Sequence, residues 1–119
     1  MTPEEALVHF LSGALQKRWR ARYVSLVQTQ RGKSKFLADL WHVFEHRLDF
    51  AKAVCALPED AWSASAFSFS ETVGFGREEE SLKTAFDKVG DGSLIVDVNG
   101  RYGIYQPEDA VDRIKYFRV

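Results

Sequence analysis

The chain has a single cysteine, Cys55, so no disulfide can form within its 119 residues. Its stability must come from packing, and a lone thiol fits a reducing, cytoplasmic setting. Long apolar runs are also missing. Every stretch falls well short of the ~20 residues that span a bilayer, which excludes a membrane-spanning helix. The first residues, Met1-Thr2-Pro3-Glu4-Glu5, are acidic where a secretory leader would be basic, so no export signal is expected. Net charge is nearly absent, at −1, whereas a dedicated nucleic-acid binder is usually basic overall. No internal repeat is visible.

What is present is the composition of a folded domain. Hydrophobic residues make up 45% and charged residues 28%, which excludes disorder for most of the chain. Residues 1–119 are the length of one domain, long enough to bury a core. The small net charge conceals unlike halves: residues 1–55 sum to +4 and residues 56–119 to −5. Lys17, Arg18, Arg20, Arg22, Arg31, Lys33 and Lys35 follow one another with no acid between them. Such a chain can fold with its halves in attraction, or present one half to a partner of opposite sign.

Thr2-Pro3-Glu4-Glu5 is a helix start, with Thr as N-cap, Pro in the first turn and Glu5 completing a capping box. Leu7, Phe10, Leu11 and Ala14 then recur at helical spacing, and Leu15, Trp19, Tyr23 and Leu26 do so on a different meridian. Two helices are expected, over about 3–12 and 14–29, with a break near Gly13. A strand over 22–29 is the rival reading, since Tyr23, Val24, Val27 and Thr29 favour one. Gln30-Arg31-Gly32-Lys33 reads as a connector. From Ser34 onward, Leu37, Leu40, Trp41, Phe44, Leu48 and Ala51 form one helical stripe.

Pro58-Glu59-Asp60 opens a short helical turn. Phe67 and Phe69 alternate with Ser68 and Ser70 at strand period. Gly74-Phe75-Gly76 reads as a turn, and Glu78 to Val89 as a helix ended by Gly90. Residues 94–105 are the strongest local signal. Two β-rich runs flank Asn99-Gly100, the pair preferred for a type I′ hairpin turn, with Ile95 opposite Ile104 and Leu94 opposite Tyr105. Pro107-Glu108-Asp109 begins another helical turn, and 114–119 a last strand. The expectation is a single α+β domain in which about three N-terminal helices pack on one face of a small C-terminal antiparallel sheet. Trp19, Trp41, Phe44, Phe86, Ile95, Ile104 and Phe117 are its expected core.

Several patterns touch on chemistry. His42-Val43-Phe44-Glu45-His46 matches the H-x-x-E-H pattern of inverted zinc peptidases: two imidazoles one turn apart, with a carboxylate beside them as base. The match covers five residues only, and Asp39, His42, Glu45, His46 and Asp49 also form the polar side of their helix. Gly32-Lys33-Ser34 resembles the tail of a phosphate-binding P-loop, but Val27 stands where the pattern needs Gly. Gly74-x-Gly76 is followed by Glu78-Glu79-Glu80, which would repel phosphate. Cys55 has no His after it and lies among Ala53, Val54, Ala56 and Leu57, as a buried structural thiol would. His9 is read as a boundary residue.

The cationic run is the feature that points to a partner. Lys17, Arg18, Arg20, Arg22, Lys33 and Lys35 are interleaved with Trp19 and Tyr23, and on a helix the cations would border the apolar stripe. The expectation is a small non-enzymatic cytosolic binding or regulatory protein, without cofactor, that engages an acidic macromolecule through this basic surface. A protein partner is favoured. A nucleic-acid-binding module is the alternative, and a metal-dependent hydrolase through His42, Glu45 and His46 the second alternative. Homodimerisation is open to the chain as well, since unlike charged halves can pair in opposite orientation.

Overall fold

The computed structural model describes residues 1–108 and 113–119. Among these residues the fold is α+β, with five α-helices, mostly N-terminal, and a six-stranded antiparallel sheet. Among the described residues no helix is long and apolar enough to cross a membrane.

Helix α1 runs Pro3–Ala14 and opens on the expected capping box: Thr2 Oγ1 accepts from the Glu5 N–H and Glu5 Oε1 from the Thr2 N–H. The chain breaks at Leu15-Gln16 rather than at Gly13. Segment 47–49 captures the corner, where the Gln16 N–H donates to the Arg47 carbonyl at 2.9 Å and the Asp49 N–H to that of Ala14 at 2.8 Å. Gly13 is small for another reason. A Cβ there would lie 2.6 Å from Cβ of Val119. Helix α2 follows over Lys17–Leu26, so residues 22–26 are helical rather than extended.

The expected connector at 30–33 is the first turn of α3, Gln30–Ala38, capped by Thr29 Oγ1 accepting from the Gly32 N–H. The long stripe predicted from Ser34 is divided at Asp39 between α3 and α4, Leu40–His46. That interruption shifts the helical phase. Phe36, Leu40, Val43, Phe44 and Leu48 are buried, while Trp41 is 56% exposed and leaves the core it was assigned to. Trp19 and Phe86 are only half-buried; Phe44, Ile95, Ile104 and Phe117 are fully buried.

The strands are β1 (Ala53–Val54), β2 (Ala66–Ser70), β3 (Gly74–Glu79), β4 (Ser93–Asp97), β5 (Tyr102–Gln106) and β6 (Lys115–Arg118), ordered β1-β6-β5-β4-β2-β3. The acidic run assigned to a helix instead completes β3, with Glu78 opposite Phe67 and Glu79 opposite Ala66. Cross-strand pairing has overridden the helical preference of glutamate. Gly76, read as part of a turn, sits where the β2–β3 register shifts between Ser68 and Phe69, and its φ of 79° suits such an irregularity. Helix α5 is shorter than expected, Leu82–Lys88, with Ser81 as N-cap.

The β4–β5 hairpin has the register read from the sequence, Ile95 opposite Ile104 and Leu94 opposite Tyr105. Its turn is different. Only Gly100 has positive φ, 69°, so the turn is not type I′. Asp97 explains this: its carboxylate accepts from the N–H groups of Asn99, Arg101 and Tyr102 at 3.2, 2.7 and 2.8 Å, holding a wider loop. The short turn expected from Pro107-Glu108-Asp109 runs into residues outside those described.

Both sheet faces are covered, not one. Phe67, Phe69, Leu94, Val96, Tyr105 and Phe117 pack under α1–α4. Ala66, Ile95 and Ile104 pack against Leu82, Ala85 and Val89 around α5, and against Ala61 in the 3-10 turn Glu59–Ser63. Ser68 and Ser70, which alternation would turn to solvent, are therefore buried. Ser68 Oγ donates to Glu79 Oε2, and Ser70 Oγ accepts from the Val73 N–H.

Candidate binding surface

Helix α2 is anchored through one side only. Tyr23 is buried, and Trp19 and Leu26 pack partly into the core beneath α1 and α3. With Tyr23 inward, Lys17, Arg18 and Arg22 are left outside, and all three are exposed. Lys35, on α3, is exposed too. The other two members of the predicted patch are held by the fold. Arg20 Nε donates to the Leu15 carbonyl at 3.0 Å and closes the α1–α2 corner. Lys33 Nζ pairs with Glu4 at 2.8 Å and lies 5.2 Å from the centre of the Phe75 ring.

Trp19 organises the outward group. The Arg18 and Arg22 guanidiniums lie 5.4 and 5.7 Å from its ring centre, within cation–π range. A third guanidinium, that of Arg47, lies closer at 3.8 Å. Arg47 also donates to His42 Nε2 at 2.9 Å. Sequence inspection offered no sign of Arg47, because it reaches Trp19 across a fold that joins segments 28 residues apart. Among the described residues none of Lys17, Arg18, Arg22 and Arg47 forms a salt bridge with a carboxylate.

The electrostatics of α2 run against helix preference. Its first turn has no acid but two cations, Lys17 and Arg18, at the positive end of the helix dipole, and its N-cap, Gln16, makes no side-chain capping bond. Both features weaken a helix. Local preference and observed structure therefore disagree at α2, which singles it out as the candidate surface.

The His42, Glu45, His46 pattern does not converge. The two imidazole rings are neighbours, 4.9 Å apart, but His42 Nε2 is occupied by Arg47. Glu45, read as part of a solvated face, points instead toward Arg113 and Lys115, 3.2 and 3.5 Å away, with its side chain 15% exposed. Among the described residues no group of three or more His, Cys, Asp or Glu side chains is placed to hold a metal ion. Gly32 serves packing, since a Cβ would come within 1.8 Å of the Leu26 carbonyl oxygen. Cys55, expected to be buried, is exposed just after β1, as are its neighbours Val54 and Ala56. His9 bonds the Gly100 carbonyl through Nδ1 at 3.1 Å and ties α1 to the hairpin turn. Burial, with the Glu45 and Glu108 carboxylates, pushes the Tyr105 phenol up to about 12, so it stays neutral against the ring of Phe44.

No family model matches the chain, and neither a curated protein nor a solved structure does.

Proposed function

We propose that the protein is a non-enzymatic binding or regulatory protein whose basic surface, Lys17, Arg18 and Arg22 with Arg47 behind them and Lys35 on α3, engages an acidic partner protein. The observation that carries this reading is the set of guanidiniums around Trp19 with no carboxylate paired to them among the described residues. Unpaired exposed arginines offer bidentate donors to carboxylates. A protein surface suits the site better than single-stranded nucleic acid. Base stacking needs an open aromatic face, and Arg47 already sits 3.8 Å from the centre of the Trp19 ring, whose indole Nε1 is buried. A metal hydrolase is the weaker reading, because its imidazole and carboxylate are already engaged by Arg47, Arg113 and Lys115.

The test is a titration of isotope-labelled protein with an acetylated deca-glutamate peptide and, separately, with a thymidine decanucleotide. The peptide is expected to shift the Trp19 indole resonance and the α2 amides, and the double variant Arg18→Glu, Arg22→Glu to abolish the shift. Tighter binding of the oligonucleotide at equal ionic strength would replace the acidic-protein reading by the nucleic-acid one. An unchanged titration in the double variant would remove the site.

A further inference from the structure

On the opposite side of the sheet from α2, the 3-10 turn Glu59–Ser63 and helix α5 leave an open groove of about 740 Å³ between them. Its apolar wall is built from Trp62 and Phe86. Their rings meet edge to face at 5.5 Å, and Tyr116 holds Trp62 from another side at 6.1 Å. Both residues are half-buried and pack on the second core cluster, so the aromatic wall is formed in advance. The rim has the opposite sign to α2: Glu59, Glu80 and Asp87 face one cation, Lys83. Lys83 is already paired with Asp87 at 3.4 Å. Among the described residues Glu59 and Glu80 form no salt bridge.

We propose that this groove is a second docking site, which takes an arginine- or lysine-bearing segment of a protein partner. An aromatic wall attracts the aliphatic stem and the charge of such a side chain together, and the Glu59 and Glu80 carboxylates complement its head. A groove of this size falls in the range of ligand-binding clefts. Anionic ligands are disfavoured by the same carboxylates. The chain carries its own cationic complement on α2, but α2 and the groove lie on opposite sides of the sheet. Self-docking would therefore join copies head to tail without a closed two-fold pair, and a separate basic partner fits better. The protein would then have two ends of unlike charge, one for an acidic surface and one for a basic segment.

Three tryptophans make the test specific, because Trp62 marks the groove, Trp19 the basic helix and Trp41 an exposed site on α4. The full-length labelled protein is titrated with an acetylated tetra-arginine amide at about 150 mM salt, where long-range attraction is screened. The Trp62 indole resonance is expected to move saturably while that of Trp19 stays in place. Charge reversal of exposed rim residues, Glu59→Lys with Glu80→Lys, is expected to weaken binding by about tenfold. Glu71→Lys, an exposed acid outside the groove, should leave binding unchanged. A stationary Trp62 resonance would overturn the proposal. Equal affinity in the double variant, or equal weakening by Glu71→Lys, would do the same by showing only a diffuse acidic field. Movement of the Trp62 resonance with protein concentration alone would assign the groove to a second copy of the chain and overturn it as well.

Discussion

The guanidinium of Arg47 lies 3.8 Å from the ring centre of Trp19, and its Nε is buried without a hydrogen-bond partner among the described residues. Two residues from separate helical segments thus share one contact that joins α2 to the end of α4. The contact serves both packing and charge, since it fixes the indole around which Arg18 and Arg22 are arranged. Arg47→Ala is expected to lower stability by about 1–2 kcal/mol through lost cation–π contact and stem packing, measured by urea denaturation. Lys at this position should recover only part of that loss, because it lacks the planar group.

Lys17 stands at the positive end of α2, where a cation is unfavourable. Lys17→Glu is therefore expected to raise stability by about 0.3–1 kcal/mol while weakening the acidic peptide's binding. Thermal denaturation and the deca-glutamate titration should move in opposite directions. A variant that lost both stability and binding would contradict the electrostatic account of this helix.

Phe10 occupies the space above Gly103 on β5. A Cβ there would lie 2.3 Å from Phe10 Cζ, and the Phe10 ring also meets Phe117 at 5.9 Å. Gly103→Ala should cost about 1–3 kcal/mol by overpacking. Combined with Phe10→Leu, the loss should be less than the sum of the two single losses, because the smaller side chain vacates the clash. Denaturation midpoints of the four proteins measure this coupling.

Glu79 has a fully buried carboxylate contacted by Arg77 at 2.9 Å and Lys88 at 3.3 Å. Burial pushes its pKa up, but the Arg77 hydrogen bond and the charges of Arg77 and Lys88 outweigh burial and hold it below the usual 4.5. Its folded-state pKa is thus lower than its unfolded one. The stabilisation is complete above about 4.5 and is lost as pH falls through the lowered folded value. Acid titration of stability should show this loss, and Glu79→Gln should flatten it while lowering stability at neutral pH.

The elements that sequence inspection found correctly are those whose cause is local. Thr2 and Glu5 cap α1 within one turn, and the β4–β5 register follows from two short β-rich runs around a two-residue centre. The local pattern misleads where a bond that spacing does not reveal takes over, whether from a paired strand or from a nearby side chain. Glu78 and Glu79 look helical until β2 pairs with them, and the Asn99-Gly100 turn yields to the three bonds that Asp97 makes. Trp41 fell out of the core because Asp39 interrupts a stripe that spacing made continuous. The candidate surface was partly visible: the acid-free run is plain, but not that Arg20 and Lys33 would be engaged while Arg47 joined the others.

By itself the sequence determined the α+β order, the hairpin register and the unlike charge of the two halves, since each depends on spacing or on sums along the chain. Only the tertiary structure decided which cations stay unpaired among the described residues, and that residues 59–63 and 80–87 form an open acidic aromatic groove behind the sheet. A side chain's field and partners are set by neighbours brought from far along the chain, and no local pattern records them.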